Sequence, residues 1–221
     1  MITTSKYKAF IFDLNGTLID DMKYHTDAWF EILTGELGAD LSYEKLKTEM
    51  YGKNAELLVR VFGEDYFEPE EIENHSINKE KKYQKIYKPH LKAIPGLEEF
   101  LENADHNNIA MGIGSAAIMF NVDFVLDNLD IRKYFKSLIS ADEVDLSKPD
   151  PETFLKGAKA LGVKPEDCLV FEDAPKGVEA AKNAGMDAVV LTTMHGKEEF
   201  AAYDNILFYI SDYNDPQLNQ L

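Results

Sequence analysis

Asp13 closes the apolar run Phe10-Ile11-Phe12, and Gly16 turns the chain just after it. Aromatic and β-branched residues drive a buried strand up to Asp13. A carboxylate is thereby left at the carboxyl end of a strand, where open α/β sheets place their ligands. The peptide groups of Asn15, Gly16 and Thr17 follow directly and could donate to a bound phosphate. A carboxylate so placed suits nucleophilic attack on phosphorus. Much later, Glu172 and Asp173 end a second apolar run, Leu169-Val170-Phe171. Paired hard carboxylates beside a phosphate are expected to bind magnesium through oxygen. Between these runs, Ser115 and the amide of Ala116 can donate hydrogen bonds, and Lys148 offers a compact cation to a transferring phosphoryl group. Each residue alone has an ordinary alternative. An aspartate at a strand end also forms turns, a serine after a strand caps a helix, and a lysine before proline is commonly solvated.

These residues need elements to hold them. Apolar runs predict strands at 8–14, 109–114, 137–140, 168–172 and 187–191, with helical patterns between them, as in βαβ units. Phe154, Leu155, Ala158 and Leu161 form one stripe of a helix over 151–161, with Asp150 as N-cap and Pro151 in its first turn. Pro175 opens a helix over 175–184, and Gly185 closes it. The alternation implies a parallel sheet covered on both faces. Residues 20–93 carry no strand pattern. Met22, Trp29, Leu33 and Leu37 fall at helical spacing, and 42–50, 54–62 and 69–88 also read as helices. We therefore expect an α/β core of 1–19 and 94–221, an α-helical insert of 20–93, and hinges near 15–21 and 89–95. The polar tail from Ser211 to Leu221 is expected to be only loosely held.

The run Asp13-Leu14-Asn15-Gly16-Thr17 resembles the first motif of haloacid dehalogenase-like hydrolases, normally Asp-x-Asp-Gly-Thr/Val. Three further pieces arrive in that family's order. They are Ile113-Gly114-Ser115-Ala116, Ser147-Lys148-Pro149-Asp150-Pro151 and Val170-Phe171-Glu172-Asp173-Ala174. Segments 8–30 and 94–192 are similar to the β-phosphoglucomutase-like subgroup. The resemblance implies a Rossmann-like core with an inserted α-helical cap. It implies Asp13 as nucleophile and Mg2+ held by Asp13, Asp173 and the backbone carbonyl of Asn15, with Glu172 in or just behind that shell. It also implies that Gly16, Thr17, Ser115, Ala116 and Lys148 surround the phosphate.

One position departs from the pattern. In the family, the residue two places after the nucleophile is the general acid/base, and Asn15 cannot exchange a proton. General acid–base catalysis contributes about 10²–10⁴-fold, so poor leaving groups such as sugar alkoxides should suffer most. The subgroup's cap also carries a phosphate-gripping arginine shortly after a glycine. Aligning that glycine with Gly52 puts Ala55 at the arginine position, with Lys53 and Asn54 nearby and Arg60 about a turn too far. His25 and Trp29, one turn apart, resemble part of a cap helix that lies over the active site; the alternatives are a surface histidine and a core tryptophan. The basic run 79–85, beginning at Lys79, reads as a Glu-paired solvated face more readily than as a phosphate grip.

The formal net charge of −17 argues against a general nucleic-acid binder and requires local cations to attract an anionic substrate. No apolar run approaches the roughly 18 residues of a membrane span, and the amino terminus has no secretory pattern. The single cysteine, Cys168, reads as a small hydrophobe at the start of a core strand. A cytoplasmic monomer or weak homo-oligomer is expected. The leading expectation is a magnesium-dependent phosphatase for a small phosphorylated metabolite, working through an aspartyl-phosphate on Asp13. The alternatives are a sugar-phosphate mutase and a catalytically impaired phosphate-binding regulator.

Overall fold

The structure is a computed structural model and describes residues 6–221. It divides into two compact units, one running to Asp20 and resuming at Lys92, the other Asp21–Leu91. In the first, six parallel strands form one sheet: β1 (Ala9–Phe12), β2 (Ala110–Gly114), β3 (Phe135–Ile139), β4 (Cys168–Glu172), β5 (Asp187–Leu191) and β6 (Ile206–Ile210). Their order is β3-β2-β1-β4-β5-β6. Successive connections run outward to either side from β1, so the boundary between β1 and β4 is the switch point where open sheets form a crevice. The sequence anticipates five of these strands. β6 is missed because Leu207 is exposed at the sheet edge and the run Ile206–Ile210 has no clean buried face.

All four residues of β1 are buried, as a central parallel strand requires. One face carries Phe10 and Phe12, which pack with Phe100, Phe171 and Tyr213 in an aromatic layer. The other carries Ile11 against Phe154, Ala158, Val170 and Val178. The helices of this unit are numbered after the four of the insert: α5 (Leu97–His106), α6 (Met119–Asn128), α7 (Glu152–Leu161) and α8 (Pro175–Asn183). On α7, Thr153, Phe154, Gly157 and Ala158 face inward. Leu155, read as part of that stripe, is instead exposed. Cys168 is buried at the start of β4, as expected.

The tail is not loose. Tyr213 and Leu218 are buried, the Tyr213 amide donates to Pro95 O at 2.9 Å, and Pro216–Gln220 forms a 3₁₀ turn. An aromatic ring inside a polar stretch gives no periodic signal, which is why composition misjudged it. Where the chain leaves the sheet unit and returns, Ile19 and Ala93 form an antiparallel bridge, and Ile94 N–H donates to Leu18 O at 2.9 Å.

The second unit is helical: α1 (Met22–Phe30), continuing into a π-helical turn at Glu31–Glu36, α2 (Tyr43–Glu49), α3 (Asn54–Phe62) and α4 (Pro69–Tyr87). Ser42 caps α2 through its hydroxyl, and Pro69 starts α4 where its missing N–H costs nothing. Trp29, Ile32, Leu33, Leu46, Leu57 and Leu58 make its core. No helix of the described residues is long and apolar enough to cross a membrane.

Candidate active site

Strand register brings the predicted residues together. Phe12 pairs with Phe171 across β1 and β4, so Asp13 and Glu172, each the next residue, end adjacent strands side by side. The Asp13 amide extends that ladder by donating to Phe171 O at 2.9 Å. On the other side Phe12 pairs with Ile113, which sets Ser115 just past the end of β2. Lys148 reaches in from the loop before α7. Its Nζ lies 2.7 Å from Asp13 Oδ1 and 2.7 Å from Glu172 Oε1, and 4.7 Å from the centre of the Phe154 ring.

Lys148 is thus a buried ion-pair centre and not the solvated loop lysine its sequence context would ordinarily suggest. Burial alone would lower its pKa, but the Asp13 and Glu172 carboxylates outweigh that and raise it. It therefore stays an ammonium. Glu172 spends both oxygens: Oε1 on Lys148, and Oε2 on the amides of Asp173 and Ala174 at 2.9 and 2.8 Å. Both oxygens are thus committed to holding Lys148 and the chain entering α8. Asp173 carries no such load. Burial and the fields of Glu172 and Asp13 push its pKa well up.

The turn after Asp13 is more self-contained than the sequence suggests. Gly16 has φ +78°, and its Cα lies against the Asp173 carboxylate so closely that a Cβ would overlap it. The Gly16 amide donates to Ile19 O at 2.7 Å, and the Thr17 amide makes a long 3.4 Å contact to Leu14 O. Two of the three amides offered to a phosphate on sequence grounds are therefore turned into the loop, because closing so tight a turn consumes them. Thr17 Oγ1 is buried without a hydrogen-bond partner. Ser115 is buried; its Oγ accepts from the Ala117 amide at 3.1 Å, which leaves its proton to donate, and exposed Ala116 follows it.

These donors fit a hard cation. Asp13, Glu172 and Asp173 are three buried carboxylates facing one ammonium, an excess of negative charge with oxygen donors only. No three His, Cys, Asp or Glu side chains among the described residues enclose a metal by themselves.

In the helical unit, four of the five singled-out residues join one network. Lys79 Nζ lies 2.5 Å from His25 Nδ1 and 3.0 Å from Glu80 Oε1; Asn54 Nδ2 donates to Glu80 at 2.5 Å, and Trp29 Nε1 to Asn54 Oδ1 at 3.3 Å. Tyr83 stacks on His25 and donates to Asp21, whose Oδ2 lies 3.3 Å from His25 Nε2. Lys53 is elsewhere: it holds the N-cap position of α3, its amide bonded to Glu56. Lys79 and Glu80 are buried, which corrects the reading of 79–85 as a solvated face. Lys81 and Lys85 are exposed and half-buried Lys82 pairs Glu31 and Glu36, while Tyr83 between them is buried. Asp21 and Glu80 were missed because a charged residue among charged neighbours carries no sign of burial, and Tyr83 because the charged run around it hid it. His195 Nδ1 lies 2.9 Å from Glu199 Oε2.

The family model for haloacid dehalogenase-like hydrolases matches residues 7–185. The chain is 31% identical over 189 residues to a fructose-1-phosphate phosphatase of Escherichia coli, covering 83% of this chain and 96% of that one. It is 32% identical over 189 residues to the β-phosphoglucomutase of Bacillus subtilis, covering 82% of each. The crystal structure of β-phosphoglucomutase from Clostridium difficile superposes with a TM-score of 0.84 at 28% identity, covering 97% of this chain and 96% of that one. With the four motifs converging as described, the chain belongs to the haloacid dehalogenase-like hydrolases.

Proposed function

We propose that this enzyme is a magnesium-dependent phosphatase acting on a small phosphorylated sugar or polyol through an aspartyl-phosphate on Asp13. The observation that carries the reading is the Lys148 ammonium shared between Asp13 and Glu172 at the ends of adjacent strands. Attack forms a bond from an Asp13 oxygen to phosphorus while the bond to the leaving oxygen breaks, and the electron pair departs with that oxygen. Lys148 orients the carboxylate and neutralises charge as the phosphoryl group arrives. Ser115 and the Ala116 amide are the donors assigned to the phosphoryl oxygens. Asp13, Asp173 and the Asn15 carbonyl would hold magnesium, which supplies further neutralisation of the phosphate charge. Water then attacks phosphorus, returning Asp13 to its carboxylate and releasing phosphate.

Asn15 has no proton to give the departing oxygen or to take from that water, so both protons must be exchanged with solvent. This supports slow turnover and a preference for stable leaving groups, and it disfavours a mutase, which needs the same group. Incubation with magnesium and a panel of sugar monophosphates tests the reading. Release of phosphate, with a phosphoryl adduct mapped to Asp13 by mass spectrometry of the quenched enzyme, is expected. Release that survives in Asp13→Asn would overturn it. Conversion of a sugar 1-phosphate to its 6-phosphate would establish the mutase instead.

A further inference from the structure

The loop that follows Asp13 is held from outside the four motifs. Thr193, just past the end of β5, donates its hydroxyl to Gly16 O at 2.6 Å. Tyr213, in the carboxyl-terminal tail, donates its hydroxyl to Thr17 O at 3.1 Å. Both lie beyond residue 185, where the family match ends. We propose that Thr193 and Tyr213 are positioning residues that fix successive peptide planes of the loop carrying Asn15, Gly16 and Thr17, and so set the reach of the phosphoryl-transfer machinery.

The geometry argues this in three steps. A trans peptide is planar, so anchoring the Gly16 and Thr17 carbonyls also fixes the direction of the Thr17 and Leu18 N–H groups. The remaining plane, Asn15 to Gly16, is fixed from its other side by the Gly16 amide on Ile19 O at 2.7 Å. Three consecutive planes are thus each held by a hydrogen bond, and the Asn15 carbonyl is restrained along with them.

The anchors themselves are stiff. Tyr213 is buried against Phe12 of β1, Phe171 of β4 and Phe100 of α5, the two strands being those that deliver Asp13 and Glu172. Its amide is tied to Pro95 O. Burial and the negative charge of Asp13 and Asp173 raise its hydroxyl well above the usual phenol range, so it remains a donor at any working pH. Thr193 follows Thr192, whose amide and hydroxyl both bond Ile210 O at 2.9 and 3.2 Å, joining the ends of β5 and β6. A freely moving tail or loop could not hold a peptide plane; these two can.

The proposal rests on the catalytic assignment of Asp13, and the test separates the two. Tyr213→Phe and Thr193→Val each delete one hydroxyl while keeping the packed shape, with Tyr203→Phe, whose hydroxyl only grazes Glu179 at 3.4 Å, as control. Turnover of p-nitrophenyl phosphate is measured per folded enzyme, with kcat and KM resolved and melting temperature recorded. A loss in kcat of about tenfold or more, exceeding any change in KM, is expected for each deletion, with the control at wild-type values. If Tyr213→Phe fails to fold, Thr193→Val decides alone. Wild-type kcat in the folded deletions, even with a lowered melting temperature, would reduce both residues to structural contacts and overturn the proposal. Activity that persists in Asp13→Asn would instead overturn the catalytic assignment itself.

Discussion

The carboxylate of Glu172 occupies the space that a Cβ on Gly177 would need. Gly177 lies in the first turn of α8, and its bare backbone lets the carboxylate lie between Lys148 and the helix start. Gly177→Ala should therefore push Glu172 off Lys148. Overpacking of this kind costs about 1–3 kcal/mol, and the freed lysine should lower turnover as well. Urea denaturation and steady-state kinetics check this; unchanged values in both would mean that Glu172 has another place to go.

The asparagine at position 15 sets a selectivity that one substitution should reverse. Asn15→Asp supplies a proton donor and should raise turnover of sugar monophosphates by about 10²–10⁴-fold. p-Nitrophenyl phosphate, whose leaving group is already stable as an anion, should gain far less. Equal gains on both substrates would exclude a proton-transfer role for this position.

Stability and activity should respond to pH in opposite directions. Burial raises the Asp13 carboxyl to about 7, with Lys148 opposing the rise and Glu172 adding to it. The ordinary value is 3.8. Between those values the folded chain holds a proton the unfolded chain has lost, so the metal-free fold is favoured at the acid end. That contribution is lost as pH climbs through about 7, and Asp173 is shifted the same way. Attack requires the carboxylate, and magnesium would favour that form, so kcat/KM should rise with pH but at lower pH than the metal-free titration. Urea midpoints in EDTA at pH 5 and pH 8, with magnesium restored at pH 8, measure it; a flat profile would assign the proton elsewhere.

The buried Lys79–Glu80 pair makes a separate prediction for the helical unit. Removing one partner of a buried pair costs about 3–5 kcal/mol, while replacing both with apolar residues is often neutral. Glu80→Ala strands Lys79, whose pKa burial already lowers against the pull of Glu80, and it deprives Asn54 of an acceptor. Lys79→Met with Glu80→Met should recover most of the lost stability in urea melts. A double variant no better than the single one would locate the cost in Asn54 instead.

What the sequence revealed follows from what writes a pattern into it. Central strands are buried on both faces, so β1 and β4 stand out as apolar runs, and the polar residues that end them mark the site. Asp13 and Glu172 were legible for that reason, whereas Lys148, on a loop, stood out only through its resemblance to a family motif. The edge strand β6 was not, since partial exposure dilutes its run. Tyr213 was hidden by polar neighbours, Gly177 by the neutrality of a glycine on a helix, and Glu80 by its charged surroundings. Their roles come from contacts distant in sequence, which periodicity does not encode. The loop amides of Gly16 and Thr17 were misread for a related cause: a turn's internal hydrogen bonds depend on φ and ψ and not on residue type alone.

The side-by-side departure and return at Ile19 and Ala93 has an evolutionary consequence. Because the sheet unit stitches both ends of residues 21–91 together itself, it works as a socket with a fixed mouth. Closure entropy grows slowly with loop length, about 0.6 kcal/mol per doubling. A longer, shorter or wholly different insert could be carried there at small thermodynamic expense, leaving the connections of the sheet unit unchanged.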